Sequence, residues 1–214
     1  MTFQIRLCAV KLVFFSSISF VYSDLGPYII NPTPYHPLIL KSQKEMNESL
    51  TYWEFFPDIL DEVPPHVFQA WFRGDRRVNF GNKFTILHTD LPPYNLSWPV
   101  EEGEYYLFHL FDPDVPSKRD PRLREYRHWT VANIPGTNVE KGYVLAEYIG
   151  LIRNHTKDML HRNVFVLYKQ PEKLEFDDVV IKRDAPYLDR ACFSHKGFAR
   201  EHRLGKPIAV NFFH

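Results

Sequence analysis

The strongest pattern along the chain is a set of short apolar runs, each bounded by proline, glycine or clustered charge. Tyr105 to Phe111 (YYLFHLF) is nearly continuous in apolar side chains and stops at Asp112-Pro113-Asp114. His128 to Ile134 (HWTVANI) ends at Pro135-Gly136, and Asn163 to Tyr168 (NVFVLY) starts directly after a charged segment. Continuous apolar runs of roughly four to eight residues fit strands buried on both faces. Val67 to Phe72 predicts another strand, closed by a turn at Arg73-Gly74-Asp75. Lys83 to Leu87 and Ile208 to Phe213 are further strand candidates, whereas residues 90–99, with Pro92, Pro93 and Pro99, read as a loop. Helical signals are few. Ser42 is placed to cap a short helix over 42–50, and Phe193 to Arg203 reads as a helix that stops at Gly205 and Pro207. With no internal repeat and no low-complexity segment, these elements predict an all-β or β-rich sandwich.

Composition narrows the class. A chain of 214 residues, 44% of them hydrophobic, can bury a sizeable core as one domain and is not expected to be disordered. Lys plus Arg equals Asp plus Glu at 26 each, a balance that argues against a nucleic-acid partner or a polybasic membrane-surface role.

The first 23 residues read as a signal peptide: Arg6 and Lys11 precede a compact apolar run, Leu12 to Val21, and Val21-Tyr22-Ser23 offers a cleavage site. The alternative, an uncleaved anchor, has a run short of the about 20 apolar residues a spanning helix needs. No other transmembrane stretch is expected after cleavage, so the chain is read as secreted. The organisation that follows is a signal peptide over 1–23, a proline-rich arm with a short helix over 24–51, and a domain over 52–214. Three sequons, at Asn47, Asn95 and Asn154, suit export and glycosylation. Cys8 falls in the signal peptide, which leaves Cys192 either buried and inert or free to pair with another chain; its place between Ala191 and Phe193 favours burial.

Three polar clusters adjoin strand ends. In Asp112-Pro113-Asp114-Val115-Pro116-Ser117, two carboxylates two residues apart share a face if the segment is extended. The alternative is a turn in which each aspartate accepts backbone N–H bonds. Arg124-Glu125-Tyr126-Arg127-His128-Trp129 runs into a strand with His128 at the junction, and Leu160-His161-Arg162 precedes another. Either histidine also reads as structural. If these strands are neighbours, the clusters meet at one sheet edge and form an aromatic-walled pocket for a small polar headgroup or anion. No Gly-x-Ser-x-Gly elbow, His-Glu-x-x-His, paired Cys-x-x-Cys or glycine-rich phosphate loop is present. The expectation is therefore no enzyme, no catalytic residue, no cofactor and no metal.

The ordered block Asp112-Pro113-Asp114-Val115-Pro116-Ser117, Asp120-Pro121, Arg124-Glu125, His128-Trp129 and Leu160-His161-Arg162 resembles the phosphatidylethanolamine-binding protein family. The likeness extends more loosely over about residues 52–213, with Phe193 to Phe213 resembling the family's late helix and following strand. It implies a mainly β fold with a large central sheet, a small second sheet and a few peripheral helices. It also implies a pocket for a phospholipid headgroup or other small anionic ligand, holding Asp112, Asp114, Pro116, His128 and His161. Carboxylates beside an anion must be offset, and protonated His128 or His161, or backbone N–H groups, would do so. Other roles assigned in the family leave a protein partner, such as a protease to be inhibited, or a lost pocket as alternatives. The chain departs from the family pattern in three places. Met159 stands where the family has glycine two places before His161, in a segment, 151–159, without the usual proline. Asn163 replaces an aromatic, and the family's C-terminal helix after Phe213 is not in the sequence.

Overall fold

The computed structural model describes residues 38–151, 160–177 and 180–214. The signal segment, most of the arm, Met159 and Asn154 lie outside the described residues. Nine strands form two sheets. The large one runs β1 (His66–Val67), β9 (Ala209–Phe213), β8 (Asn163–Lys169), β5 (Tyr105–Asp112), β6 (Tyr126–Pro135) and β7 (Tyr143–Ala146). Only the β1–β9 pairing is parallel; the other four are antiparallel. The small sheet runs β3 (Arg76–Arg77), β2 (Gln69–Phe72) and β4 (Asn95–Ser97).

The long apolar runs are central strands because both faces of the large sheet are covered. On one face Phe108, Leu110, Trp129, Phe165 and Phe213 meet Phe68, Phe72 and Trp98 beneath the small sheet. Phe68 stacks on Phe165 at 4.8 Å and on Trp98 at 5.3 Å. On the other face Phe111, Val164, Val166 and Phe212 pack against helix α1 (Gln43–Tyr52), the 55–60 turn and helix α2 (His195–Glu201). Helix α1 has a complete capping box, in which Ser42 accepts from the Glu45 N–H and Glu45 reaches back to the Ser42 N–H. It buries Met46 and Leu50, so the segment before residue 52 contributes to the core. The mainly β architecture with one large and one small sheet is the one the resemblance implied.

Four local expectations are corrected. Val67 to Phe72 is not one strand: the chain passes from the large sheet to the small one at Phe68. Lys83 to Leu87 is not a strand; it contains the start of a 3-10 turn, Ile86–His88, where the His88 ring binds the Thr85 N–H and Leu87 is 72% exposed. The loop over 90–99 contains β4, held by pairing to β2 and by the buried Leu96. Cys192 is exposed, on a residue with φ 56° at the approach to α2.

Candidate functional site at one end of the large sheet

β5 ends where β6 begins, with Asp112 opposite Tyr126, and β8 begins beside them, with Val164 opposite Phe111. This topology brings the Asp112, Tyr126–His128 and His161–Arg162 segments to one edge of the sheet. Asp112 is 1% exposed and turns the chain by accepting the Asp114 N–H on Oδ1 at 2.7 Å. Its Oδ2 lies 2.6 Å from His161 Nδ1. Asp114, fully buried, faces Arg162: the carboxylate accepts from Nε at 2.8 Å, from Nη2 at 2.6 Å and from the Arg162 backbone N–H at 3.0 Å. Arg162 Nη1 donates onward to the Trp53 and Glu54 carbonyls. Such a bidentate, hydrogen-bonded pair is the arrangement that lets a buried charge persist. The two aspartates therefore share a turn but serve different partners. Pro116 follows them after a cis Val115–Pro116 bond and is half-buried.

The Arg124–His128 cluster is divided by the alternation of the chain. Arg124 braces the aspartate turn, donating to the Pro113 carbonyl at 3.0 Å and pairing with Asp58. Glu125 points away from the edge and binds His195. Tyr126 and His128, two residues apart, lie together at 5.5 Å between ring centres, and Tyr187 leans on Tyr126 at 4.7 Å. These three rings form a short aromatic wall at this end of the sheet. His128 is 2% exposed, its Nδ1 lies 3.2 Å from the Ile149 carbonyl, and its Nε2 is buried without a partner among the described residues. The segment holding Ile149 is pinned at Gly150, where a Cβ would come within 2.0 Å of the Thr89 carbonyl oxygen.

Electrostatics separate the two histidines. Burial drives His128 down to about 4, so it is neutral at pH 7. This corrects the expectation that it supplies positive charge. Burial also pushes His161 down, but the hydrogen bond and charge of Asp112 and the charge of Asp114 outweigh it, and its pKa is raised. Burial raises Asp112 against the opposing effect of His161. A carboxylate 2.6 Å away favours the imidazolium, so His161 is the cation of the pair. Sequence reasoning missed three groups here. Arg162 neutralises Asp114, and the charge of the buried Arg190 acts on both Tyr126 and His128. Tyr187 is drawn into the wall from outside any motif.

Asn163, where the family carries an aromatic, is buried and donates to the His161 carbonyl at 3.3 Å. Of the sequons, Asn47 is exposed on α1 and Asn95 is half-buried on β4. No helix among the described residues is long and apolar enough to cross a membrane. No cluster of His, Cys, Asp and Glu among them is arranged to hold a metal ion.

A two-sheet β domain with a buried carboxylate, histidine and arginine cluster at one sheet edge defines a class of protein rather than one activity. The family model described as phosphatidylethanolamine-binding protein matches residues 75–213, and the chain belongs to that family. It is 35% identical over 157 residues to "Protein MOTHER of FT and TFL1 homolog 2" of Oryza sativa subsp. japonica, covering 73% of this chain and 85% of that one. It is 29% identical over 162 residues to "Putative odorant-binding protein A5" of Drosophila melanogaster, covering 75% of each. The fold matches that of a carboxypeptidase Y inhibitor solved in complex with its cognate proteinase, with a TM-score of 0.65, 21% identity, and coverage of 79% of this chain and 94% of that one.

Proposed function

We propose that this protein binds the phosphate of a phospholipid headgroup, or another small oxyanion, at the edge formed by Asp112, His128 and His161. The observation that carries this reading is the Asp112–His161 hydrogen bond of 2.6 Å, which holds a proton on the histidine at the mouth of the cluster. His161 is the more open partner, with its side chain 10% exposed against 2% for Asp112. Asp114 does not repel the anion, because Arg162 occupies both of its oxygens. Asp114 and Arg162 are positioning residues in this account, and Pro116 shapes the turn they stand on. His128 takes part as a neutral ring, with Nε2 able to accept from an ammonium or hydroxyl of the headgroup. The work is binding, with no reaction assigned. The three sequons and the N-terminal apolar run support export as a glycoprotein, and peptide mapping of material from a eukaryotic secretion host tests both points.

The binding test is calorimetric titration with phosphoethanolamine at about pH 6 and about pH 8.5, on either side of a raised histidine pKa. Saturable binding is expected, weakening as pH rises because the imidazolium is lost. His161→Ala is expected to weaken it by about tenfold or more, the loss of one charge-assisted hydrogen bond. No saturation at millimolar ligand, or equal affinity at both pH values, would reject this site. A protein partner would then be the reading to pursue, by pull-down on immobilised protein.

A further inference from the structure

A cavity of about 470 Å³ lies between α2 and the 59–62 segment, and none of Asp112, His128 and His161 lines it. Its volume falls within the roughly 300–1,000 Å³ of small-molecule sites. Ile59, Leu60, Ala199 and Pro207 give it an apolar floor. Its rim carries four cations, Lys196, Arg200, Arg203 and Lys206, against two acids, Asp61 and Glu62. The acids are already matched: Lys196 holds Asp61 at 2.6 Å and Lys206 holds Glu62 at 2.9 Å. Among the described residues the side chains of Arg200 and Arg203 make no hydrogen bond or contact ion pair, and the charge of Arg200 reaches Asp61 only at longer range, so two guanidinium groups stand over the cavity with no carboxylate in contact.

The inner wall adds an independent sign of a ligand. His195 lines the cavity and is fully buried. Its Nδ1 is taken by Glu125 at 2.6 Å, one ring face lies on Phe111 at 4.7 Å, and Nε2 is buried without a hydrogen-bond partner among the described residues. A buried polar atom left unmatched is unfavourable, and a ligand group that reaches the inner wall would match it. Tyr168 also lines the cavity and adds a phenol to its wall.

We infer that this cavity is a second ligand site, one that takes a small amphiphilic anion: an oxyanion head held by Arg200 and Arg203, with an apolar body against Ile59, Leu60 and Ala199. Guanidinium groups match carboxylate and phosphate oxygens equally well in geometry, so the head is defined as an oxyanion and the tail as hydrocarbon. The site differs from the sheet-edge cluster in needing both parts of its ligand. A bare anion has nothing to bury on the floor, and an uncharged tail leaves the arginines unmatched.

The test uses the full chain and four probes: decanoate, octyl phosphate, decanol and inorganic phosphate, titrated by calorimetry. Decanoate and octyl phosphate are expected to bind saturably, and decanol and inorganic phosphate at least about tenfold more weakly at this site. The double substitution Arg200→Gln with Arg203→Gln, both on exposed positions, is expected to weaken decanoate binding by about tenfold or more with an unchanged melting temperature. His161→Ala is expected to leave decanoate binding intact, which separates this site from the headgroup site. Equal binding of decanol, no saturation by decanoate, or an affinity indifferent to the arginine substitutions would overturn the proposal. So would loss of decanoate binding in His161→Ala.

Discussion

Two carboxylate–histidine pairs in this protein have the same 2.6 Å hydrogen bond and different surroundings. Asp112 divides its oxygens between its own turn and the His161 ring. Glu125 gives both oxygens to one residue, binding His195 through Nδ1 and through the backbone N–H at 2.7 Å. Since His195 is the first residue of α2, that pair fastens the helix to the strand. The first pair is placed to titrate and the second to hold. A bond length alone does not distinguish them; the way each carboxylate shares out its oxygens does.

The comparison is broken most easily at Arg162, which follows His161 and holds Asp114 in the turn that carries Asp112. Arg162→Met would leave Asp114 buried and uncompensated and release the Trp53 and Glu54 carbonyls. A loss of about 3–5 kcal/mol is expected in urea unfolding. A change below about 1 kcal/mol would mean that the edge is not built on this pair.

Acid should act next, through the histidines held neutral. The folded pKa of His128 is lowered to about 4, and that of His109, buried against α2, is also lowered by burial, with the charges of His195, Arg127 and His202 adding to it. A lowered folded value means that stability is full above the unfolded pKa of about 6.5 and is lost as pH falls toward 4. For His128 alone the loss is on the order of 3 kcal/mol over that window. His161 has the opposite sign: its raised pKa stabilises below about 6.5, and that contribution disappears as pH rises through the folded value. Melting temperatures from about pH 8 to about pH 4 should therefore fall on the acid side, less steeply in His128→Asn. An acid limb of the same slope in that variant would remove His128 as its cause.

The smallest of these effects is expected at the closed pair. Glu125→Gln keeps the shape and one acceptor but loses the charge, at a cost of about 1.5–3 kcal/mol in urea unfolding. Phosphoethanolamine affinity at the other pair should stay within about twofold of the parent. A large loss of affinity there would show that the two pairs are coupled through Phe111.

What the sequence revealed depended on how each element is buried. Tyr105–Asp112 and Asn163–Lys169 were legible because central strands covered on both faces must be apolar throughout. Arg76–Arg77 and Tyr143–Ala146 were not, because a two-residue strand has no period and an edge strand shows solvent half its side chains. Val67 to Phe72 is apolar except for Gln69, whose side chain pairs with the Ile39 backbone, and a single polar residue does not by itself mark a change of sheet. At the site, Asp112, Asp114, His128 and His161 stood out by their position at strand ends. The role of Arg162 did not, since Asp114 lies 48 residues earlier and only the pairing of β5 with β8 brings them together.

The placement of β9 bears on how the chain is made. β9, Ala209–Phe213, sits between β1 and β8, so the second neighbour of β8 is translated after every other strand. While residues 170–208 emerge from the ribosome, β8 can pair with β5 but presents a bare hydrogen-bonding edge on its other side. His66–Val67 waits for a partner more than a hundred residues downstream, a long-range closure of the kind that slows folding. A nascent chain stalled in that interval would be the form most exposed to strand addition by another polypeptide, and the one for which a chaperone would matter most.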